Sequence, residues 1–64
     1  MLKNKIKEIR RKKGLTQEQL AKVCGVARQT INAIENDKYD PTLQLAFKLS
    51  KILQVKVDEL FIYE

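Results

Sequence analysis

The feature that most restricts the fold of this sequence is a three-residue connection, residues 25 to 27 (GVA), between two short helical segments. Before it, a Thr-x-x-Gln capping pattern at Thr16 predicts a helix over Gln17–Cys24. After it, isoleucines spaced three residues apart predict a helix from residue 28 to residue 35 or 36. Helices joined this tightly usually cross at roughly 90 to 120°. We therefore expect a sharp helix pair, whose buried corner would contain Leu20, Ala21, Val26, Ile31 and Ile34.

Capping residues and helical periodicity place three more helices around this pair. Gly14 provides a stop for the first, and Thr42 provides an N-cap for the fourth. Strand patterns are nearly absent, so the predicted fold class is all-α, a compact five-helix domain over residues 1–64. The predicted bounds are residues 2 to 13 for the first helix, 43 to 53 for the fourth and 58 to 61 for the fifth, with residues 62 to 64 extended.

The size of the chain limits how it can be stabilised. A single hydrophobic core of 64 residues gives little net stability. Cys24 is the only cysteine and there is no histidine, so neither an internal disulfide nor a zinc site is expected. We predict no metal and no other cofactor, and we expect stability from efficient helix packing, from a second copy of the chain, or from both.

Positive charge is concentrated in the first part of the sequence. Residues 1–38 carry 10 Lys and Arg against 4 Asp and Glu, whereas residues 39–64 carry 3 against 4. A polyanionic partner would therefore meet the first part. On charge alone, a solvated surface explains this pattern as well as nucleic-acid binding does.

Several classes of protein are disfavoured by what the sequence lacks. It has no stretch of ~20 apolar residues that could span a membrane and no secretory signal, so we expect a cytoplasmic protein without membrane insertion, its thiol reduced. It has no histidine, no evident carboxylate pair and no phosphate-binding glycine loop, so we do not expect an enzyme.

The third helix has an unusual outward face. At about 100° per residue, its side that faces away from Ile31 and Ile34 carries a guanidinium, amides and one small apolar group. Such groups contact base edges in the major groove, although an isolated helix with this face would more simply be a solvated surface. Its position in a sharp helix pair within the basic part of the chain favours DNA. The outward face consists of Arg28, Gln29, Asn32, Ala33 and Asn36.

The stretch TQEQLAKVCGVARQTINAIENDKYDPT resembles the helix-turn-helix of the phage repressor and Cro-type DNA-binding regulators. The resemblance extends from IKEIRRKKGLT to LQVKVDELF, with the helix-turn-helix proper at about residues 16–36. Two positions depart from the family pattern. Ala27 stands where Ser or Thr commonly caps the third helix, and Asp37 stands in a turn often given to glycine.

The resemblance implies roles for individual residues. An ion pair of Arg10 with Glu35 would be structural, joining the first helix to the end of the third. Phosphate contacts would set the register on DNA, and base contacts would set the sequence that is bound. The implied base contacts come from Arg28, Gln29, Asn32 and Ala33, and the implied phosphate contacts from Gln17, Thr30, Asn36, Lys38 and Tyr39.

The last part of the chain is richer in apolar residues than one small core needs. A stripe of Leu43, Ala46, Leu49 and Leu53 would bury one face of the fourth helix. The remaining apolar residues indicate either a generously packed core or a homodimer interface within about residues 52–64. The candidate interface residues are Ile52, Val55, Leu60, Phe61, Ile62 and Tyr63.

The expected function is that of a sequence-specific regulator of transcription that binds double-stranded DNA, with repression favoured over activation. By the same resemblance, a homodimer would bind a near-palindromic operator. Control would come from the concentration of the protein, from a regulatory partner protein or from operator occupancy. An antitoxin-like or accessory DNA-binding protein, whose main partner is another protein, is the runner-up. A third alternative is a basic helix, residues 3 to 13, that binds a membrane surface or a partner.

Overall fold

A computed structural model describes residues 2–64. Five helices and a two-stranded antiparallel sheet make up this part of the chain. The predicted all-α, five-helix fold class is confirmed, with the small sheet as an addition. In chain order the elements are β1 (Leu2–Asn4), α1 (Ile6–Lys12), α2 (Gln17–Cys24), α3 (Arg28–Glu35), α4 (Leu43–Leu53), α5 (Val57–Leu60) and β2 (Phe61–Tyr63).

The sheet joins the two ends of the described chain and corrects two predicted boundaries. Strand β1 pairs with β2 so that Leu2 lies opposite Tyr63. The prediction that the first helix begins at residue 2 is therefore wrong, because Asn4 Oδ1 accepts the backbone N–H of Ile6 (3.1 Å) and the helix begins there. The predicted last helix also moves by one residue, since Phe61 is extended and belongs to β2.

The helix pair α2 and α3 has the predicted ends. Gln19 donates its backbone N–H to Thr16 Oγ1 (3.0 Å), and the backbone N–H of Thr16 donates to Gln19 Oε1 (2.9 Å), which completes the capping box. Gly25 ends α2 in the left-handed region at φ +73°. Ala27 precedes α3 without a side-chain cap, as its methyl group requires.

The core takes buried apolar residues from all five helices and from β2. Of the residues predicted for the helix corner, Val26 is half-buried at its edge and the others are buried. Burial raises the pKa of the Cys24 thiol, an effect that the charge of Lys48 partly opposes. The buried apolar residues are Ile6, Leu20, Ala21, Cys24, Ile31, Ile34, Leu45, Ala46, Leu49, Leu53, Leu60 and Phe61.

Helix α4 buries Ala46, Leu49 and Leu53 as predicted, but not Leu43. Leu45 is buried, whereas Leu43 is 72% exposed. The two residues lie about 200° apart around the helix axis, so only one of them can face inward. The prediction for Leu43 was wrong because Ala46, Leu49 and Leu53 fit a stripe with either residue, and the packing of α4 against α2 and α5 selects Leu45.

Candidate nucleic-acid interface

Helix α3 is attached to the domain by one face and leaves the other in solvent. Ile31 and Ile34 are completely buried. On the opposite side, Arg28, Gln29 and Asn32 are exposed. Ala33 is half-buried beside them, and Asn36 is exposed just after the helix ends. The structure therefore brings the four predicted base-contacting residues together with Asn36, a predicted phosphate contact, on one accessible surface. We call this surface the α3 face (Arg28, Gln29, Asn32, Ala33 and Asn36).

A buried ion pair fixes the C-terminal end of α3 to α1. Arg10 Nε lies 2.7 Å from Glu35 Oε2, and Arg10 Nη2 donates to Glu35 Oε1 at 3.1 Å. Their side chains are only 8% and 1% exposed. Arg10 Nη1 also donates to the carbonyl oxygen of Leu15 (2.9 Å). The hydrogen bond with Glu35 raises the pKa of Arg10, against the opposing effect of burial, so the guanidinium keeps its charge.

A chain of amide hydrogen bonds connects this ion pair to the α3 face. Gln17 Nε2, at the start of α2, donates to Glu35 Oε1 (3.0 Å) and to Asn32 Oδ1 (3.1 Å). Asn36 Nδ2 donates to the same Asn32 oxygen (3.3 Å). We call Arg10, Glu35, Gln17, Asn32 and Asn36 the amide network. It holds the side chain of Asn32 in one orientation, a feature that periodicity in the sequence does not reveal.

The loop after α3 is held by a residue that the sequence analysis missed. Asn4 Nδ2 donates to the carbonyl oxygen of Ile34 (2.7 Å) and to Asp37 Oδ1 (3.2 Å). Asp37 has φ +58°, so it takes the left-handed turn that glycine often occupies. Lys38 and Tyr39 follow with exposed side chains. No local pattern indicates this role, because the N-cap position of α1 is Lys5 and the bonds of Asn4 to the loop join residues 30 and 33 positions apart.

The residues predicted to bind phosphate occupy different environments. Gln17 and Asn36 belong to the amide network, whereas Lys38 and Tyr39 are exposed. Thr30 is half-buried and lines a shallow depression with Tyr39. Two further residues that the sequence analysis did not single out, Gln44 and Lys48 of α4, line the same depression. Residues four apart lie next to each other on a helix surface, so this spacing in the sequence could have identified them as neighbouring polar side chains.

The candidate dimer residues divide into two groups. Leu60 is completely buried and Phe61 is 8% exposed, so both belong to the core of their own chain. The predicted interface roles of Leu60 and Phe61 are therefore not retained. Ile52 and Val55 are half-buried against that core. Ile62 and Tyr63 of β2 are 38% and 84% exposed. Of the candidate interface residues, Ile62 and Tyr63 are therefore the ones whose side chains are exposed.

Residues 2–64 contain neither a cluster of metal ligands nor a membrane-spanning helix. Within this range, no group of three His, Cys, Asp or Glu side chains is arranged to hold a metal ion. None of the helices in the same range is long and apolar enough to cross a membrane. Helix α1 buries Ile6 completely and Ile9 partly, so its apolar residues are used by the core. This disfavours the alternative in which residues 3 to 13 bind a membrane surface.

Comparison with known proteins gives consistent matches over most of the chain. A helix-turn-helix family model matches residues 6–60. An uncharacterised HTH-type transcriptional regulator of Methanocaldococcus jannaschii is 59% identical over 63 residues, which are 98% of this chain and 96% of that protein. A solved structure from Bacteroides fragilis superposes with a TM-score of 0.86 at 29% identity, covering 97% of this chain and 100% of that one.

A third similar protein has been solved bound to DNA. It is SinR of Bacillus subtilis, the master regulator for biofilm formation. In that complex it superposes with a TM-score of 0.74 at 36% identity, covering 81% of this chain and 84% of that one. SinR has also been solved in complex with the SinI protein.

Proposed function

This chain belongs to the Cro/C1-type helix-turn-helix family of DNA-binding transcriptional regulators, and from that membership we propose that it is a cytoplasmic repressor that binds operator DNA as a homodimer and contacts base edges with the α3 face. The observation that carries this proposal is the α3 face itself. Its amide and guanidinium groups are exposed, and the amide network fixes Asn32 within it. Fixed polar groups on an accessible helix suit the major groove of B-DNA, which is wide enough to admit a helix.

Selection of bound duplexes from a random pool tests the proposal. We expect enrichment of a two-fold symmetric site whose half-sites are centred roughly 10 base pairs apart, because two copies of α3 on one face of B-DNA are separated by one helical turn. Enrichment of no sequence at low salt would refute the function. Enrichment of an asymmetric single half-site would refute the homodimer while leaving the DNA contacts in place.

Phosphate contacts are assigned to exposed groups around the α3 face. Lys38 and Tyr39 follow α3 in the loop that Asn4 holds, and Gln44 and Lys48 line the depression beside them. These groups would set the position of α3 in the groove without contributing sequence preference. The predicted phosphate contact of the Gln17 side chain is not retained, because both of its amide N–H groups are used within the amide network.

Replacing Lys38 by Ala is expected to weaken binding to all sequences about equally. It should also reduce the slope of log affinity against log salt by about 1 per bound subunit, because one fewer phosphate counterion is released. Titrations of labelled duplex at several salt concentrations measure this slope. Lys51→Ala is the matched control, since it removes the same charge from the last turn of α4. An unchanged slope for Lys38→Ala, or an equal decrease for both variants, would contradict the assignment.

The proposed homodimer uses the exposed side chains of β2. Ile62 and Tyr63 project from a strand at the edge of the small sheet, and the half-buried Ile52 and Val55 also belong to the candidate surface. Residues 39–64 carry almost no net charge, so two copies would meet there without strong repulsion. Strand β2 also places Phe61 in the core, so truncation after Leu60 would damage the fold as well as the surface.

Point substitutions are therefore the cleaner test of the dimer. Ile62→Lys combined with Tyr63→Lys is expected to convert the protein to a monomer at micromolar concentration in sedimentation experiments, because two charges would be buried without partners. Val23→Lys is the control, because Val23 is also exposed (65%) but lies on α2. A monomeric unsubstituted chain, or a dimer that survives the double substitution, would remove the proposed surface.

A second candidate function, that of a DNA-binding accessory protein whose main partner is another protein, rests on a specific observation. Leu43 and Phe47 of α4 are 72% and 58% exposed and lie one helical turn apart. Large apolar side chains exposed as neighbours often belong to protein interfaces. SinR, which is similar to this chain, has been solved with a protein partner. Retention of dimerisation and DNA binding by Leu43→Ser/Phe47→Ser, with loss of regulation in cells, would favour this function.

A further inference from the structure

In each hydrogen bond of the amide network, only one of the two groups can be the donor. The buried ion pair of Arg10 and Glu35 determines which one it is. The Glu35 carboxylate can only accept hydrogen bonds while it is paired with Arg10. The Gln17 atom that lies 3.0 Å from Glu35 Oε1 must therefore be the amide nitrogen, because the amide oxygen would repel the carboxylate there. The ion pair thus determines which end of the Gln17 amide faces α3.

The orientation of the Gln17 amide in turn determines the orientation of the Asn32 amide. The second N–H of the Gln17 amide group points to Asn32 at 3.1 Å, and the Asn36 amide nitrogen approaches the same atom at 3.3 Å. An atom that receives two donors must be the amide oxygen, and these two bonds use both of its lone pairs. Asn32 Nδ2 donates to no residue in the range 2–64, and the side chain is exposed. Its NH₂ group is the part that remains available to a ligand.

We propose that Asn32 contacts DNA only as a hydrogen-bond donor, and that Gln17 and the Arg10–Glu35 pair are positioning residues that impose this polarity. The inference rests on the proposed function. A free asparagine pairs with adenine by donating to N7 and accepting from N6 at once, which needs its oxygen. With the oxygen occupied, the contact that suits Asn32 best is guanine, whose O6 and N7 both accept. Cytosine suits it least, because its major-groove N4 group is a donor.

Selections from random duplexes with the unsubstituted chain, Asn32→Ala and Asn32→Asp test this polarity. Asn32→Ala identifies the contacted position as the one at which base preference is lost. We expect guanine there for the unsubstituted chain. In Asn32→Asp, one carboxylate oxygen can keep the bonds from Gln17 and Asn36 while the other faces the DNA as an acceptor. The preference at that position should then shift to cytosine, by about 5- to 150-fold in the ratio of cytosine to guanine.

A substitution in α2 tests the positioning role. Gln17→Met keeps a side chain of similar length but removes the donor that holds the Asn32 oxygen, so the amide can turn over and adenine should become accepted at the same position. A purely structural role for Gln17 would instead weaken all sequences alike and leave the base preference unchanged, which would overturn this part of the inference. Thermal unfolding of Gln17→Met checks that the variant is folded when the selection is made.

The outcomes separate this inference from the function on which it rests. If the unsubstituted chain enriches no sequence, the proposed function fails. If it enriches a defined site with adenine at the Asn32 position, or if Asn32→Asp retains guanine there, DNA binding stands and the donor-only polarity is wrong. Gln29→Ala serves as the matched control, because it should alter a different position and leave the guanine preference intact.

Discussion

Replacing Arg10 by Met is expected to lower the free energy of unfolding by about 3 to 5 kcal/mol, because it leaves the Glu35 carboxylate buried without its partner. The side chain of Glu35 is only 1% exposed, so water does not replace the guanidinium in the folded protein. A chain of 64 residues has roughly 3 to 10 kcal/mol of stability in total. The variant should therefore be partly or wholly unfolded at 25 °C, as chemical denaturation followed by circular dichroism would measure.

Two further variants separate the buried charge from a general effect of removing a cation. Lys12→Met disrupts an exposed pair with Glu8, whose side chains are 74% and 62% exposed, and should change stability little. Adding Glu35→Leu to Arg10→Met should restore most of the lost free energy of unfolding, because no charge is then left buried. If Arg10→Met were as stable as the unsubstituted chain, Glu35 would not be a buried charge that depends on Arg10. It would then no longer determine which groups of the amide network donate and which accept.

Local patterns in the sequence predicted the central helices well. The bounds of α2 and α3 depend on a capping box at Thr16, a left-handed glycine at Gly25 and a repeat of isoleucines, all of which act within a few residues. Periodicity also identified which side of α3 faces outward. The features that were missed depend on contacts between distant parts of the chain.

The small sheet is the clearest example of such a contact. Each strand has three residues, too few to show an alternating pattern, and Leu2 pairs with Tyr63 from the other end of the chain. The inward face of α4 was equally undetermined, because both Leu43 and Leu45 fit the apolar stripe and only packing against other helices selects one. Apolar residues near the C-terminus could not be divided between the core and a dimer surface for the same reason.

At the candidate site, too, some features depend only on nearby residues and others depend on contacts between different helices. Residue types and helical spacing place Arg28, Gln29 and Asn32 on one face, and this needs only α3. The direction in which the Asn32 amide points depends on Gln17 in α2 and, through Glu35, on Arg10 in α1. Sequence therefore predicts which groups can meet DNA, whereas the structure adds which atom of the Asn32 amide is available.

The prediction with the largest expected effect on DNA binding concerns the first turn of α3. Arg28 and Gln29 are exposed, and the hydrogen bonds that connect the amide network do not involve them, so their side chains are available to bases. Gln29→Ala is expected to cost about 1 to 3 kcal/mol on the preferred operator and almost nothing on unrelated duplexes. Arg28→Ala is expected to lose a similar amount of specific binding, and in addition a smaller amount on all duplexes because it removes a charge. Each variant should relax base preference at its own position in a selection from random duplexes.

A matched control distinguishes loss of a base contact from loss of charge. Arg11→Ala removes the same charge from an exposed position near the end of α1, outside the α3 face. It should weaken specific and non-specific duplexes to a similar extent and leave the selected sequence unchanged, as expected for a group that acts on phosphates alone. If Arg28→Ala behaved in the same way as Arg11→Ala, Arg28 would contact the DNA backbone, and base recognition by α3 would have to come from Gln29, Asn32 and Ala33.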